Sequence, residues 1–413
     1  MAIVRPMRVL ALVSSLDPAR GGTQSGGRGM VLATQRVGVE NVLVAGGNAE
    51  ARERADRFAE PLRREGVLFK QFPTLPWPRE APDRWGLSYQ QSSWVMRHVA
   101  DYDLLHIHGI WGVGLLGGLA AARWRGVPVV VTAHEALTAF DIDDSRSEAR
   151  RRQKLALRAL YLRWATMFVL TSELEATDSL PPSESARLRV IHYPLVDPRQ
   201  PVPPLHPRGT HTELRVGVIG RIHPKKNVGV LVEALAQLPE HVRLVVAGDA
   251  RHGFVDLPDR LRERAAALGV DHRVEWLGFV SPEDRGELVD SLDLVAMPSV
   301  FESFGMSAAE AMLQGVPVLV SQRTGIAEVI ARRGGGTVAS ADPAGVAEAI
   351  RKLDDDREAL GRLGREAQAA ILAELTYTQV GQALEAAYAE ALALGSGRRG
   401  RRGFRRRAQA SSR

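Results

Sequence analysis

Two doubly wound α/β domains in tandem are predicted by three observations. Short apolar runs alternate with helical patterns through the first half, which argues for a parallel sheet covered on both faces. The alternation stops at VDPRQPVPPLHPRGTHTE (196–213), dense in proline and poor in large apolar residues. It then restarts. A chain of 413 residues also exceeds what one ordinary core supports, so two domains fit the length.

The expected strands of the first half are RVLALVSS (8–15), ENVLVAG (40–46), LLHIHG (104–109), PVVVTAH (128–134), FVLTS (168–172) and LRVIHY (188–193). Helices are expected around 29–37, 49–63, 88–100, 113–125 and 148–165. The N-terminal apolar run is too short for a secretory signal, and reads as the first buried strand. After the proline-rich stretch, strands are expected at 214–220, 242–248, 273–278, 292–299, 317–321 and 336–340. Helices such as VGVLVEALAQL and RLRERAAAL separate them, and a last apolar helix spans about 376–394. The domains are thus 1–195 and 214–375, with a linker at 196–213 and a disordered tail at 395–413.

Composition narrows the class. With 45% hydrophobic and 25% charged residues the chain looks globular and soluble. It has no cysteine, which excludes disulfides and thiolate metal sites and suits a reducing cytoplasm. No apolar run reaches the roughly 20 residues needed to span a bilayer. The net charge of +6 is local: GRRGRRGFRRRAQASSR (397–413) holds eight arginines and no acids. Removing those eight from the 54 basic residues leaves 46 against 48 acidic ones, so the body is slightly acidic. Specific nucleic-acid binding is not expected of such a body. The tail itself suits an anionic lipid surface, nucleic acid bound through counterion release, or a purely solubilising role.

The chemistry concentrates in the second half. In VFESFGMSAAEAMLQGVPVLVS, Glu302 and Glu310 are separated by seven residues. The pattern predicts a strand ending at Ser299, a loop holding Glu302, and a helix from Met306 carrying Glu310 one turn in. The backbone N–H groups of Phe304, Gly305 and Met306 then emerge at the helix start, where free donors and the helix dipole favour a phosphate. Carboxylates beside such a site suit hydroxyls better than a second anion. A ligand bearing both phosphates and sugar hydroxyls fits. GRIHPKKN (220–227) follows the first strand of the second domain, at the end where doubly wound sheets bind ligands. Arg221 and Lys226 can both turn inward from this loop to neutralise a leaving diphosphate without a metal. Lys225 is an alternative to Lys226.

These two segments together resemble the E-x7-E and Arg/Lys loop motifs of retaining glycosyltransferases of family 4. The resemblance implies two Rossmann-like domains facing across a cleft (the GT-B fold), with the C-terminal helix crossing back to the first. It implies a nucleoside diphosphate sugar as donor and a glycan or lipid-linked acceptor, in cell-surface polysaccharide or glycolipid synthesis, with no cofactor. By resemblance Arg221 and Lys226 hold the diphosphate, Glu310 takes the ribose hydroxyls, and Glu302 lies near the donor sugar. VAGD (246–249, with Gly248) and WLGFV (276–280, with Phe279) look like the strand ends that line the base. TGIAE (324–328) resembles the family's Gly-Gly-x-x-Glu turn, with Thr324 in place of the first glycine.

The first domain is less explicit. RGGTQSGGRG (20–29) follows the first strand as a glycine-rich turn, where Gly21 and Gly22 allow backbone to approach a ligand. His134 ends its strand at the position where the family commonly has a histidine beside the donor sugar. Glu135 follows where glycine or aspartate is more usual. HYPLVDP (192–198) stands where the family often has an Asn-Gly pair. His106 and His108 share a strand face but lack a third metal ligand, so a core or cleft role is expected. DIDD (141–144) contains an Asp-x-Asp triplet in an unsuitable loop setting. The cationic helix 145–165 carries Leu155, Leu157, Leu160, Leu162 and Trp164, a stripe that fits either sheet packing or peripheral membrane contact. Two other classes remain open, a non-catalytic nucleotide-sugar-binding scaffold and a nucleic-acid-binding protein driven by the arginine tail, which the slightly acidic body disfavours. Within enzymes the runner-up is another of the same fold, such as an epimerase or a phosphorylase.

Overall fold

The structure is a computed structural model that describes residues 5–75, 87–145, 147–207, 212–250, 254–281 and 283–410, with the side chains of Arg20 and of residues beyond 395 outside the description. The chain divides into two compact units, 1–194 with 377–413, and 195–376.

The first unit opens with β1 (Arg8–Val13), α1 (Gly22–Arg36), β2 (Glu40–Gly47), α2 (Ala49–Phe58), α3 (Glu60–Arg64) and β3 (Leu68–Pro73). It continues with α4 (Tyr89–His98), β4 (Leu104–His108), α5 (Val113–Arg125), β5 (Val129–Thr132), α6 (Ala139–Asp143) and α7 (Glu148–Trp164). β6 (Met167–Leu170), α8 (Glu173–Ser179) and β7 (Leu188–Val190) complete its sheet. All neighbours pair in parallel, in the order β3-β2-β1-β4-β5-β6-β7. β1 and β4 to β6 are buried on both faces, which explains their nearly unbroken Val/Leu/Ile runs.

The second unit holds β8 (Leu214–Ile219), α9 (Val228–Leu235), β9 (Val242–Ala247), α10 (Leu257–Ala267), β10 (Val274–Gly278) and α11 (Arg285–Asp290). β11 (Leu294–Met297), α12 (Met306–Leu313), β12 (Val318–Ser321), α13 (Ala327–Arg333), β13 (Gly336–Ala339), α14 (Pro343–Asp355) and α15 (Arg357–Glu374) follow. Its parallel order is β10-β9-β8-β11-β12-β13. In each sheet the strand order reverses beside the first strand, between β1 and β4 and between β8 and β11. Ligands of such sheets bind beyond the carboxyl ends of the strands at that reversal. In the second unit the loops there are 220–227 and 299–305, the two segments carrying the basic motif and the first of the two glutamates.

Four differences from the sequence reading have physical causes. β3 was not expected, because LFKQFP lacks clean alternation; it is a half-exposed edge strand ending in proline. The glycine-rich stretch is not a turn beyond Gly21 (φ 102°): α1 already begins at Gly22. Gly26 and Gly29 are helical positions where a Cβ would meet Tyr193 at 2.3 Å and Pro194 at 3.1 Å, so close packing rather than loop freedom requires them. Two short helices were not expected: α6 covers most of the DIDD segment read as loop, and α8 follows β6; each is capped by a side chain, Thr138 and Ser172 respectively. The proline-rich stretch is held down rather than loose. Val196 bridges Thr376, and Pro203 O accepts from Gln368 Nε2 at 2.8 Å. Residues 208–211 of it lie outside the description.

The last helix, α16 (Tyr377–Ala410), belongs to the first unit and packs on α1, where Gly381 lets it approach the Ala33 carbonyl. Helical backbone runs on through Ala410, past the expected end at 394, although four glycines between 395 and 403 weaken the helix propensity of that extension. Residues 411–413 lie outside the description. Along α7, Leu160, Leu162 and Trp164 pack on the core, Tyr161 is its fully buried anchor, and Leu155 stays exposed. No helix among the described residues is long and apolar enough to cross a membrane.

Candidate active site

In the second unit the loop after β8 is clamped at both ends of its first turn. Gly220 and Ile222 donate their N–H groups to Ala247 and Asp249 carbonyls at 2.9 Å. A Cβ at Gly248 would lie 1.8 Å from the Gly220 oxygen, so only glycine lets the end of β9 meet this loop. The chain then makes a 3-10 turn over Pro224–Lys226, capped by His223 Nδ1, which accepts the Lys225 N–H at 3.1 Å. Asn227 follows at φ 56°, a left-handed conformation that asparagine tolerates, and Nδ2 donates to the Ala341 carbonyl at 3.1 Å.

That turn aims Lys226 at Glu302, with Nζ to Oε2 at 2.5 Å. Lys225 instead lies 6.0 Å from the Phe301 ring centre, its carbonyl accepting the Val300 N–H. Arg221 is exposed on the same loop. Burial raises the Glu302 carboxyl; Lys226, Lys225 and Arg221 outweigh that and hold it well below the usual carboxylate range. Three cations are thus gathered around one carboxylate.

Glu302 is fixed by backbone as well. Its N–H donates to Arg323 O, and its own carbonyl accepts from Gly325, both at 2.9 Å. Thr324, the departure in the TGIAE turn, is accommodated: its hydroxyl lies 3.0 Å from Ser321 Oγ, which donates to Ser299 O. Gly305 (φ 105°) caps α12 with its absent Cβ facing the Thr324 methyl, 3.0 Å from where that Cβ would be. Phe304 is buried beneath the turn and Met306 opens the helix. The first N–H groups of α12 have no partners within the helix.

Glu310 sits in the second turn of α12. Its Oε2 accepts from Arg285 Nη1 at 3.1 Å. Burial raises the Glu310 carboxyl, and Arg285 offsets this in part. Arg285 on α11 was not singled out in the sequence, because nothing local distinguishes it from other surface arginines. Phe279 follows β10 and is 59% exposed.

The first unit gathers different groups. His134 is 9% exposed and adopts φ 51°; Glu135 follows at φ 76°. Such strained backbone needs support. The buried Glu175 supplies it, accepting the Glu135 N–H at 2.6 Å and the Thr171 N–H and hydroxyl at 2.7 Å. His134 Nδ1 lies 2.6 Å from the Tyr193 hydroxyl. The His108 and His134 rings stack at 5.6 Å, and the His106 ring lies tilted against His108 at 4.0 Å. His106 bonds Thr132 Oγ1 at 2.9 Å and Tyr388 of α16 at 2.7 Å, a core role. Burial lowers all three imidazoles, His108 to about 3, so the stack is neutral. Among the described residues no group of three potential ligands is arranged for a metal ion. Gly22 starts α1 with nothing within 4 Å of its Cβ position. Asp141 and Asp143 of the DIDD segment pair with Lys154 and Arg151 of α7. Glu175 and Tyr193 were missed; Tyr193 alone carried a signal, lying in the stretch that departs from the Asn-Gly pattern.

Residues 21–197 match the family model Glycosyltransferase Family 4, and residues 208–370 match Glycosyl transferases group 1. The chain is 32% identical over 383 residues to the D-inositol 3-phosphate glycosyltransferase of Mycobacterium sp. (strain KMS), covering 84% of this chain and 82% of that one. The Nocardia farcinica protein of the same name is 30% identical over 417 residues, covering 94% and 90%. Among solved structures, Anabaena Alr3699/HepE in complex with UDP superposes with a TM-score of 0.72 at 21% identity, covering 93% of this chain and all of that one. Sucrose-phosphate synthase from Thermosynechococcus elongatus gives 0.68 at 20% identity, covering 94% and 99%. With both halves matched and relatives similar along most of its length, the chain belongs to the group 1, family 4 glycosyltransferases of GT-B fold.

Proposed function

We propose that this glycosyltransferase moves a hexosyl group from a nucleoside diphosphate sugar to a hydroxyl acceptor with retention of anomeric configuration, without a metal. The observation that carries the reading is the cationic loop of the second unit, clamped onto Glu302 beside the open start of α12. Arg221 and Lys226 take the diphosphate, and neutralise charge as the glycosidic bond breaks. The helix start offers its free donors through Phe304, Gly305 and Met306. Glu310 takes the ribose hydroxyls, exchanging its bond to Arg285 for them. Gly248 and Phe279 border the base, and Gly22 lies at the corresponding helix start of the first unit. Glu302 and the neutral His134 orient the donor sugar. This reading assigns no carboxylate among the described residues as a covalent nucleophile, and retention follows a same-face route.

The acceptor is a glycan or a lipid-linked sugar of cell-surface polysaccharide or glycolipid synthesis, met in the cytoplasm at the inner face of the membrane. The basic helix α7 supplies a cationic face for that contact, and the arginine-rich tail sequence adds positive charge. A second reading, a small phosphorylated polyol acceptor, is favoured by the name shared by the relatives at 30–32% identity. Thermal shift with UDP, GDP and ADP sugars, with and without Mg²⁺, separates donors. A selective stabilisation without metal, lost in Arg221→Ala, is the expected result. No shift from any of them would sink the transferase site; a shift without transfer or hydrolysis would leave only a binding scaffold.

A further inference from the structure

We propose that Tyr193 is a positioning residue that sets the tautomer of His134. Its hydroxyl donates to Nδ1, so Nε2 carries the proton and is offered as a hydrogen-bond donor to a sugar oxygen. The inference rests on His134 belonging to the sugar site.

Three observations carry it. The Tyr193 and His134 rings are parallel within 5° at 5.6 Å, and Tyr193 Oη lies 2.6 Å from Nδ1. A neutral imidazole nitrogen is the better acceptor of the pair and a phenol the better donor, which fixes the direction of the bond. His134 Nε2, buried, has no partner among the described residues, and the ring stacked on its other side, His108, offers none. Burial keeps His134 neutral, so exactly one ring nitrogen holds a proton and the Tyr193 bond decides which.

The surroundings are built for Tyr193. Glu175 fixes the strained backbone at His134 and Glu135 through the Glu135 N–H, leaving the imidazole rotation to be set by its ring partner. Gly26 on α1 leaves the space that the Tyr193 ring fills, since a Cβ there would stand 2.3 Å from Cε1. Tyr193 lies within the stretch 192–198 that stands where the resembled family often has an Asn-Gly pair. There this chain offers an aromatic donor, and Gly26 is the glycine that makes room for it.

The test uses the full chain labelled with ¹⁵N-histidine, in wild type, Tyr193→Phe and Gly26→Ala, with His134→Ala assigning the resonance. Long-range ¹H–¹⁵N correlation reads which nitrogen is protonated. We expect Nε2–H in wild type and a mixture of tautomers in Tyr193→Phe, whose ring keeps the packing. With the stabilising donor sugar, kcat should fall roughly ten- to a hundredfold in Tyr193→Phe, the scale of a misplaced reacting group, while KM changes little. Gly26→Ala, which displaces the ring, should reproduce that loss. Protonated Nδ1 in wild type, or an unchanged kcat in Tyr193→Phe, would overturn the proposal. Unchanged transfer in His134→Ala would overturn the sugar-site role itself; the tautomer spectrum, which needs no turnover, tells the two failures apart.

Discussion

The second unit presents its polar groups as charges, and the first presents them as neutral rings. After β8 and β11, Arg221, Lys226 and Glu302 form an electrostatic cluster on loops fixed by backbone hydrogen bonds and by Gly248 and Gly305. After β4 and β5, His108, His134 and Tyr193 stack without a formal charge among them, and a carboxylate, Glu175, is spent on backbone support. The contrast matches the division of labour in the proposed reaction. Charge accumulates on the leaving diphosphate, where cations act most strongly. Hydroxyl groups need direction rather than charge, and neutral donors supply it.

The sharpest way to break this comparison is to remove charge from the second unit. Lys226→Ala should lower kcat about a hundred- to a thousandfold, the usual scale for one preorganised electrostatic group, and should leave Glu302 without its ion-pair partner. Lys225→Ala, whose side chain lies over Phe301, should cost far less in steady-state assays. Equal losses from both would mean that the loop acts as a diffuse positive surface and not as a directed clamp.

A smaller effect tests the scaffold beneath the charges. Gly248→Ala forces a side chain against the Gly220 carbonyl at φ 159°, and should destabilise the protein by about 3 kcal/mol in denaturant titration. Gly269→Ala, at φ 71° with nothing near its Cβ position, bears only the conformational term and should cost about 1 kcal/mol. Similar values for the two would show that the close approach is not what Gly248 provides.

The smallest effect separates the units by pH. The first unit's histidines have folded pKa values lowered from 6.5, so they contribute stability above that pH, and it is lost as the unfolded chain takes up protons below it. Glu302, depressed from 4.5, contributes stability above that value and loses it only as the pH falls toward about 2. Each buried histidine should therefore steepen the decline by about 1.4 kcal/mol per pH unit once the pH is well below 6.5. Calorimetry between pH 7 and 5 should show this decline in wild type and a shallower one in His108→Phe. An unchanged slope in the variant would mean that His108 does not remain neutral in the folded chain.

The same contrast explains what could be read from the chain alone. The second unit's candidate site was legible as a setting because its segments are local: residues 220–227 and 302–310 are two short stretches whose strand-loop-helix context is explicit in the sequence. Twelve of the strands were also legible, since buried parallel strands are apolar runs; β3 was not, because an edge strand has no such run. In the first unit, Gly26, His134, Glu175 and Tyr193 come from four distant places, and only packing brings them together. The glycines of α1 misled for the same reason. A glycine that makes room for a ring looks, in sequence, like one that makes a turn. Arg285 was hidden likewise, since its partner on α12 is chosen by the fold.

The most direct test of the central claim is sugar transfer followed by NMR in the presence of EDTA, using the nucleotide sugar that stabilises the protein and comparing wild type with Arg221→Ala. A product with the donor's anomeric configuration, formed by wild type and suppressed at least about a hundredfold in the variant, is the predicted result. An inverted product, a strict need for added metal, or undiminished transfer by Arg221→Ala would contradict a metal-free, cation-assisted retaining mechanism.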